Sequence, residues 1–576
     1  MPSNLPPRTE LREDRERRRH GAFFTPQVWA DEGLRQLDLA LGVGWEQDAL
    51  VWDPCCGSGN LTRGRTFPDL ILSTIDASDL RAAGRAERHK DALKFCWDFL
   101  AADQDLPAPA AARLHAAAAA GKRLVFLANP PYATAGNLVL GAPKKTHVAK
   151  GSTNVAMLRA GLGRPSQQLY AQFMFRFCRL ASDYGFSSVS VGLFSKPSFL
   201  TASSFAAFRA FWFERFSFSS GFLFRADEFA GVSPRWGVSF TLWSEGDTDP
   251  RAALQLDLLE SSRGTEDVPP SAYGARVSPP LRRVGVKSLY NATGRRANDW
   301  ARGPRQSPGA DGIQLRCGLN VSEVGRGRGM EDHLGWLNND SNDVYHSART
   351  VWLQSGGKSS GQNNAGWFLD WSNFARSLAL FAARKAVVGG WVNDKDEFLA
   401  PRPDVEGTAE FRAWMGSAMV YAAVHPQNTC CAARGLSYKD ELVDLNNHLF
   451  WASPEAIAAG AARAGNAGLQ ADAERAAGVA PALMTVLSDW GSPPSALAAS
   501  CWALLQQLLQ ATIGDRKCFS ELNPDLQSLT WDAGLYQLKR LFVEGEPALW
   551  AELQAATTAL RHEVREGVYR FELLLR

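Results

Sequence analysis

The chain has 576 residues, 45% of them hydrophobic and 21% charged, with a formal net charge of +2. That length exceeds one ordinary core and implies two or three domains of a soluble globular protein. No apolar run reaches the roughly 20 residues that span a bilayer, so a membrane partner is not expected. The polar N-terminus "MPSNLPPRTELREDRERRRH" is unlike a secretory signal. Nine cysteines lack CxxC spacing, and the adjacent pairs Cys55–Cys56 and Cys430–Cys431 suit neither a disulfide framework nor a metal site. Free thiols in a cytoplasmic protein without a metal are the expectation. A net charge near zero neither demands nor excludes a nucleic-acid partner.

In chain order, residues 1–19 read as a mixed-charge helix or flexible arm. From 20 to about 250, short apolar runs alternate with helical stretches. "ALVWD" (49–53), "LILSTID" (70–76), "RLVFLAN" (123–129), "SSVSVGLF" (187–194) and "WGVSFTLW" (236–243) read as strands. "QLYAQFMFRFCRLASDYG" (168–185) places apolar side chains at helical spacing and ends in glycine, as a helix with its C-terminal cap. The alternation predicts an α/β fold with a mainly parallel sheet, whose ligands bind at the carboxyl ends of the strands. Beyond 250 the texture changes to proline, glycine, arginine and tryptophan, predicting a second, mixed α+β region over 251–450. An alanine-rich stretch (455–487) reads as helix or linker, and 451–576 reads as mainly helical. Between 276 and 316 nine basic residues, among them Arg282, Arg283, Arg295 and Arg296, face only Asp299 and Asp311. No internal repeat is present.

Four segments carry candidate chemistry. "DPCCGSGNLT" (53–62) follows the first strand, and Gly57 and Gly59 allow the backbone to approach a ligand. It is neither GxGxxG nor a phosphate loop. The second strand leads to Asp76 and Asp79, where an acid can accept from ribose hydroxyls. "CWDFL" (96–100) supplies Asp98 and Phe99, and "NPPY" (129–132) closes the next strand. Two prolines in a row stop a strand and stiffen the backbone.

Taken in order, these segments resemble the S-adenosylmethionine-dependent DNA amino-methyltransferases, in the subgroup whose cofactor motifs precede the catalytic motif and a C-terminal target-recognition region. "GAFFTP" (21–26) resembles the motif that closes over the methionine part of the cofactor, and "DPCCGSGNLT" the cofactor loop. "STIDASD" resembles the ribose-contacting segment, "DFL" the adenine-contacting one, "NPPY" the catalytic motif and "DEFAGVSPRWGVSFTLW" (227–243) the late strand motif. The resemblance covers roughly residues 20–245 and implies a Rossmann-like methyltransferase domain over 20–250, with S-adenosyl-L-methionine as cofactor. It assigns Phe23, Phe24, Thr25, Pro26, Asp53, Pro54, Cys55, Gly57, Gly59, Asn60, Asp98 and Phe99 to the cofactor, with Asp76 or Asp79 at the ribose. Many members carry the ribose acid two residues before Asp76, where this chain has Thr74.

The chemistry of NPPY supports the resemblance. The exocyclic amine of adenine is a poor nucleophile, because its lone pair is delocalised into the ring. The Asn129 side-chain oxygen and the Pro130 carbonyl can accept its two N–H groups, with Pro131 stiffening the turn and Tyr132 offering a stacking face. This is electrostatic preorganisation. A base inside a duplex must be flipped out to reach such a pocket, and Phe199, Phe229 and Trp236 are candidates for a second aromatic wall. In the glycine-rich, basic insert 133–168, Lys144 and Lys145 could touch phosphates, the alternative being a merely flexible loop.

The asparagine form of the motif resembles adenine-N6 methylators, which makes double-stranded DNA the expected partner; the sequence leaves the oligomeric state open, a monomer being plausible. The 251–450 region, with its basic opening, is the expected target-recognition domain. RNA adenine methylation, protein-glutamine methylation and a non-catalytic DNA-binding scaffold on the same fold are the alternatives. Only about twenty residues precede "GAFFTP", too few for a nuclease domain in front. "VHPQNTCCAARGLSYKDELVDLNNHLFW" (424–451) receives no role.

Overall fold

The computed structural model describes residues 25–57, 59–77, 79–80, 89–132, 151–229, 232–249, 252–261, 281–289, 295–303, 335–338, 341–347, 351–354, 366–429, 431–438, 441–445, 453–475, 482–514 and 546–575. The N-terminal arm, Phe23, Phe24, Lys144 and Lys145 lie outside these residues. The chain divides into two compact units. The first comprises residues 1–293 with 390–396, and the second 294–389 with 397–575.

The first unit is built on nine strands: β1 (Ala49–Asp53), β2 (Leu70–Thr74), β3 (Leu93–Cys96), β4 (Arg123–Ala128), β5 (Val189–Ser195), β6 (Phe216–Arg225), β7 (Gly237–Glu245), β8 (Leu254–Ser261) and β9 (Leu281–Leu289). Their order is β3-β2-β1-β4-β5-β7-β6-β8-β9. The first five run parallel, β7 enters antiparallel between β5 and β6, and β9 is antiparallel to β8. The order 3-2-1-4-5 is that of a doubly wound nucleotide-binding sheet, so the expected α/β, Rossmann-like, mainly parallel fold is observed. The short β6–β7 connection explains the antiparallel insertion, because a parallel pair needs a long crossover.

Central strands read as near-continuous apolar runs because helices cover both faces. β1 and β5 are buried along their whole length. Leu50, Trp52, Leu124, Phe126, Val191 and Leu193 face one layer, with helices α2 (Ala108–Ala119) and α4 (Leu169–Asp183). Ala49, Val51, Val125, Leu127 and Phe194 face the other, against α1 (Gln27–Leu41). Helix α3 (Ser152–Arg159) contributes Met157 to the first layer. Fully burying one such Leu, Val or Phe stabilises by about 1.5–3 kcal/mol, so the strand ends that carry the motifs are firmly placed.

The five anticipated strands are found within two residues of their expected bounds, and the anticipated helix spans Leu169–Asp183. β3, β6, β8 and β9 were not anticipated. β6 is serine-rich, and β9 ("LRRVGVKSL") read as a basic surface segment. The sheet therefore runs on past residue 250, where the sequence suggested a division, and the first unit continues to Thr293. Arg282 pairs with Glu260 at 3.1 Å and Arg283 with Asp257 at 2.7 Å across the β8–β9 ladder. Exposed pairs of this kind add little stability, but charges on an edge strand discourage unwanted pairing. Lys287 of β9 forms a buried ion pair with Asp396, from the late segment that rejoins this unit.

In the second unit, helices α5 (Phe374–Ala386), α6 (Ala409–Val424), α7 (Ala496–Thr512) and α8 (Pro547–Arg570) share one core. The Trp414 indole donates to the Val564 carbonyl at 3.1 Å, and Gly567 of α8 leaves room for that ring. Cations gather where α5 ends, in keeping with its dipole. Arg384 and Lys385 occupy its last turn, and Arg561 donates to the Ala386 carbonyl at 3.2 Å. A small sheet in the order β12-β10-β11-β13 is formed by β10 (Gly335–Asn338), β11 (Trp352–Gln354), β12 (Gly366–Leu369) and β13 (Asn428–Thr429). The unassigned 424–451 stretch supplies β13 and a hairpin of β14 (Cys431–Tyr438) with β15 (Glu441–Leu445).

Candidate active site

The carboxyl ends of β1 and β4, which are adjacent in the sheet, bring the glycine turn and NPPY together. After Asp53 the backbone turns back through hydrogen bonds from Cys56 N–H to the Ser73 carbonyl (3.0 Å) and from Gly59 N–H to the Cys56 carbonyl (2.7 Å). Gly57 (φ 49°) and Gly59 (φ 75°) occupy left-handed conformations, which any residue with a Cβ adopts at a cost.

Asp53 is fully buried. Its Oδ1 accepts the Cys55 N–H at 3.2 Å, while Oδ2 has no hydrogen-bond partner among the described residues. Burial pushes its carboxyl up to about 8, against the weaker opposing effect of the Cys55 hydrogen bonds. The Cys55 thiol is raised by burial and then by the neighbouring Asp53, with a hydrogen bond from the Asn129 backbone opposing. The thiol thus lies between the glycine turn and NPPY. Pro54 is buried.

Thr25 connects three segments far apart in sequence. It precedes the N-cap Pro26 of α1 and is only 3% exposed. Its carbonyl accepts from Asn60 Nδ2 at 3.0 Å, and its Oγ1 accepts from Asn129 Nδ2 at 2.9 Å. On the other side, the Tyr132 hydroxyl donates to Asn129 Oδ1 at 2.7 Å. The Asn129 amide is therefore held at both ends, with its oxygen turned toward Tyr132. Pro130 is buried and Pro131 half-buried, which fixes the backbone carrying that amide.

Tyr132 is buried, and its ring meets Phe229 (6.3 Å) and Trp236 (5.9 Å) edge-on. Phe199 belongs to the layer on the opposite face of the sheet, where it lies fully buried against Tyr170 and Trp243. Of the proposed aromatic wall, the structure brings Phe229 and Trp236 to Tyr132 but not Phe199.

Beyond β2, Asp76 is exposed and Asp79 half-buried, and the Asp79 N–H donates to the Asp76 carbonyl at 3.1 Å. Thr74, at the strand end, is buried. Asp98 Oδ1 accepts the Leu100 N–H at 3.0 Å and shapes that turn. Phe99 is a core residue in this structure, stacked on Phe173 at 4.9 Å and edge-on to Trp52 at 5.5 Å. Arg282 and Arg283 are paired with carboxylates, as described above. Arg295 and Arg296 lie in the second unit, where Arg295 is exposed, its carbonyl accepts the Ala400 N–H, and Arg296 bridges to Leu399.

Three residues escaped the sequence reading. Ile75 exposes 76% of its surface beside Asp76 at the carboxyl edge of the sheet. The available signal is an isoleucine just past the end of a buried strand, next to an acid. Lys196 donates to the Tyr132 carbonyl at 3.3 Å and lies 5.4 Å from the centre of the Trp236 ring. Arg176, buried within α4, donates to the Phe99 carbonyl at 3.1 Å and lies over the Trp97 and Phe99 rings. Its signal was a charge inside the apolar run "FMFRFC". Among the described residues, no group of three or more His, Cys, Asp or Glu is placed to hold a metal ion. No helix among them is long and apolar enough to cross a membrane.

No protein-family model and no curated protein matches the sequence. Among solved structures, the chain is similar to the DNA-bound, ATP-dependent Type ISP restriction–modification enzyme LlaBIII. The identity is 14% over 41% of this chain and 19% of that one, with a TM-score of 0.29. A type I restriction–modification methyltransferase subunit from Streptococcus thermophilus matches at 16% identity over 41% of this chain and 47% of that one, TM-score 0.28. A protein from Listeria monocytogenes assigned to the class I S-adenosylmethionine-dependent methyltransferases matches at 14% identity over 42% and 66%, TM-score 0.29. The chain thus spans about a fifth of LlaBIII and under half of the streptococcal subunit.

Proposed function

We propose that this protein transfers a methyl group from S-adenosyl-L-methionine to the exocyclic N6 amine of an adenine flipped out of double-stranded DNA. The observation that carries the reading is the Asn129 amide, held between Thr25 and Tyr132 at the end of β4, beside the glycine turn that ends β1.

The residues present fit the cofactor. The turn with Gly57 and Gly59 admits a ligand close to the backbone, and Asp53 Oδ2 is a buried acceptor suited to a cationic group. Exposed Ile75 and Asp76 offer an apolar surface and an acid for an adenosine, and Asp98 shapes the neighbouring turn. The Thr25–Pro26 segment closes the methionine side in this reading. Bound S-adenosyl-L-methionine supplies an electrophilic methyl carbon on a sulfonium.

The chain's own residues prepare the amine. Asn129 Oδ1 and the Pro130 carbonyl accept its two N–H groups, which favours a tetrahedral nitrogen with a free lone pair. Because these acceptors are fixed before substrate arrives, little reorganisation is left for the transition state. Alignment of the nitrogen with the methyl carbon supplies further acceleration. Tyr132, with Phe229 and Trp236 beside it, walls the base pocket, and its hydroxyl shares the Asn129 oxygen with the incoming amine. Basic residues of the 133–168 insert and of the second unit carry the DNA backbone in this reading.

The test is Asn129→Ala. Purified variant is expected to bind cofactor by calorimetry yet lose at least about a hundredfold in methyl transfer to DNA, the scale of losing one preorganised polar group. A wild-type rate in that variant would remove Asn129 from the mechanism. Methylation-aware sequencing of DNA from expressing cells identifies base and site together, and an absence of new methylated adenine would turn the reading toward RNA or a scaffold.

A further inference from the structure

We infer that Thr25 is a positioning residue for Asn129, joining the cofactor side of the site to the acceptor that activates the amine. The inference rests on the proposed methyl transfer and adds a role to Thr25 beyond closing over the cofactor.

An asparagine amide is nearly symmetric in shape but not in chemistry. Turned by half a rotation it presents N–H groups where its oxygen stood, and a donor there would repel the N–H groups of the incoming amine. A hydroxyl donates to an oxygen as readily as it accepts from an NH2 group, so Tyr132, which holds the amide at one end, leaves its plane free to turn. Thr25 Oγ1 is the partner at the other end of the amide, 2.9 Å from Nδ2. With it in place, the amide plane is fixed at two points.

Thr25 is itself anchored. Its carbonyl is bound to the Asn60 side chain of the glycine turn, its body is 3% exposed, and it leads directly into α1. One residue therefore ties the start of α1, the cofactor loop and the catalytic amide into a single framework. Order imposed on the glycine turn reaches the Asn129 amide through two hydrogen bonds and one backbone unit. A threonine suits this place because its methyl group fills buried space while its hydroxyl meets the amide.

Thr25→Val keeps the shape and removes only the hydroxyl. The full-length variant is expected to lose about tenfold in kcat for methyl transfer, the scale of one orienting hydrogen bond. The DNA KM and the calorimetric cofactor Kd are expected to stay within about threefold of wild type. Thr25→Ser restores the hydroxyl and is expected to recover the rate to within about threefold. The melting temperature is measured alongside, and the serine variant keeps the test decisive if valine unfolds the chain. A serine variant that remains tenfold slow, or a valine variant at the wild-type rate, overturns the positioning role while leaving the methyl-transfer reading intact. A loss in Thr25→Val that follows weakened cofactor binding also overturns it, since Thr25 would then act on the cofactor alone. A wild-type protein that methylates no DNA overturns both.

Discussion

The buried carboxyl of Asp53 makes the stability of the first unit depend on pH in a direction opposite to that of an ordinary carboxylate. Burial pushes this group up to about 8, from an ordinary value of 3.8. Between those limits the folded chain keeps a proton that the unfolded chain has released. Its stabilising contribution is therefore complete below about 3.8 and is lost as pH rises toward 8. Each pH unit inside the window costs up to about 1.4 kcal/mol, so this carboxyl removes about 2.7 kcal/mol between pH 5 and pH 7. Asp53→Asn preserves the outline of the side chain and cannot ionise. Urea unfolding of the cofactor-free chain, read by hydrogen exchange in the β1 peptide, isolates the unit concerned. The stability gained by the variant over wild type is expected to be about 2–3 kcal/mol larger at pH 7 than at pH 5. A gain that is the same at both pH values, within about 0.5 kcal/mol on the same scale, would refute the burial argument. Under the proposed function, S-adenosyl-L-methionine brings positive charge that would pull the carboxyl down, so proton release on its binding at pH 7 is a second readout. Calorimetry in two buffers of different ionisation enthalpy is expected to show about one proton lost.

In the second unit, Gly567→Ala would set a Cβ 2.1 Å from the Trp414 ring. The clash is expected to outweigh the better helix propensity and to cost about 1–3 kcal/mol, seen as a lower urea midpoint. An unchanged midpoint would show that the ring moves aside freely. Lys385 is buried, donates to the Ser347 carbonyl, and is pushed down to about 7 by burial first and by Arg384 second. The unfolded chain binds the extra proton between about 7 and 10.5, so stability there rises with pH. Lys385→Met is expected to remove a slope of up to about 1.4 kcal/mol per pH unit. Equal slopes in wild type and variant between pH 7.5 and 9.5, the range of the assay, would count against it.

The sequence by itself determined the doubly wound core, because parallel strands buried on both faces must be near-continuous apolar runs. "ALVWD", "RLVFL" and "SVSVGLF" announce their strands with no knowledge of their neighbours. It also marked the glycine turn and NPPY, whose backbone demands are written in glycine and proline. The edges were hidden. β6 and β9 carry serines and arginines that become acceptable only beside particular partners, as when Glu260 and Asp257 come to face Arg282 and Arg283. The same limit applied to the site. Tertiary structure alone placed Thr25 against Asn129 across 104 residues of chain, set Phe199 and Tyr132 on opposite faces of the sheet, and brought Lys196 to the Tyr132 carbonyl. Local sequence fixes backbone preference and which faces are apolar. Which polar atoms meet is decided only when the strands have taken their order, since a hydrogen bond depends on distances of a few tenths of an ångström that no spacing along the chain encodes.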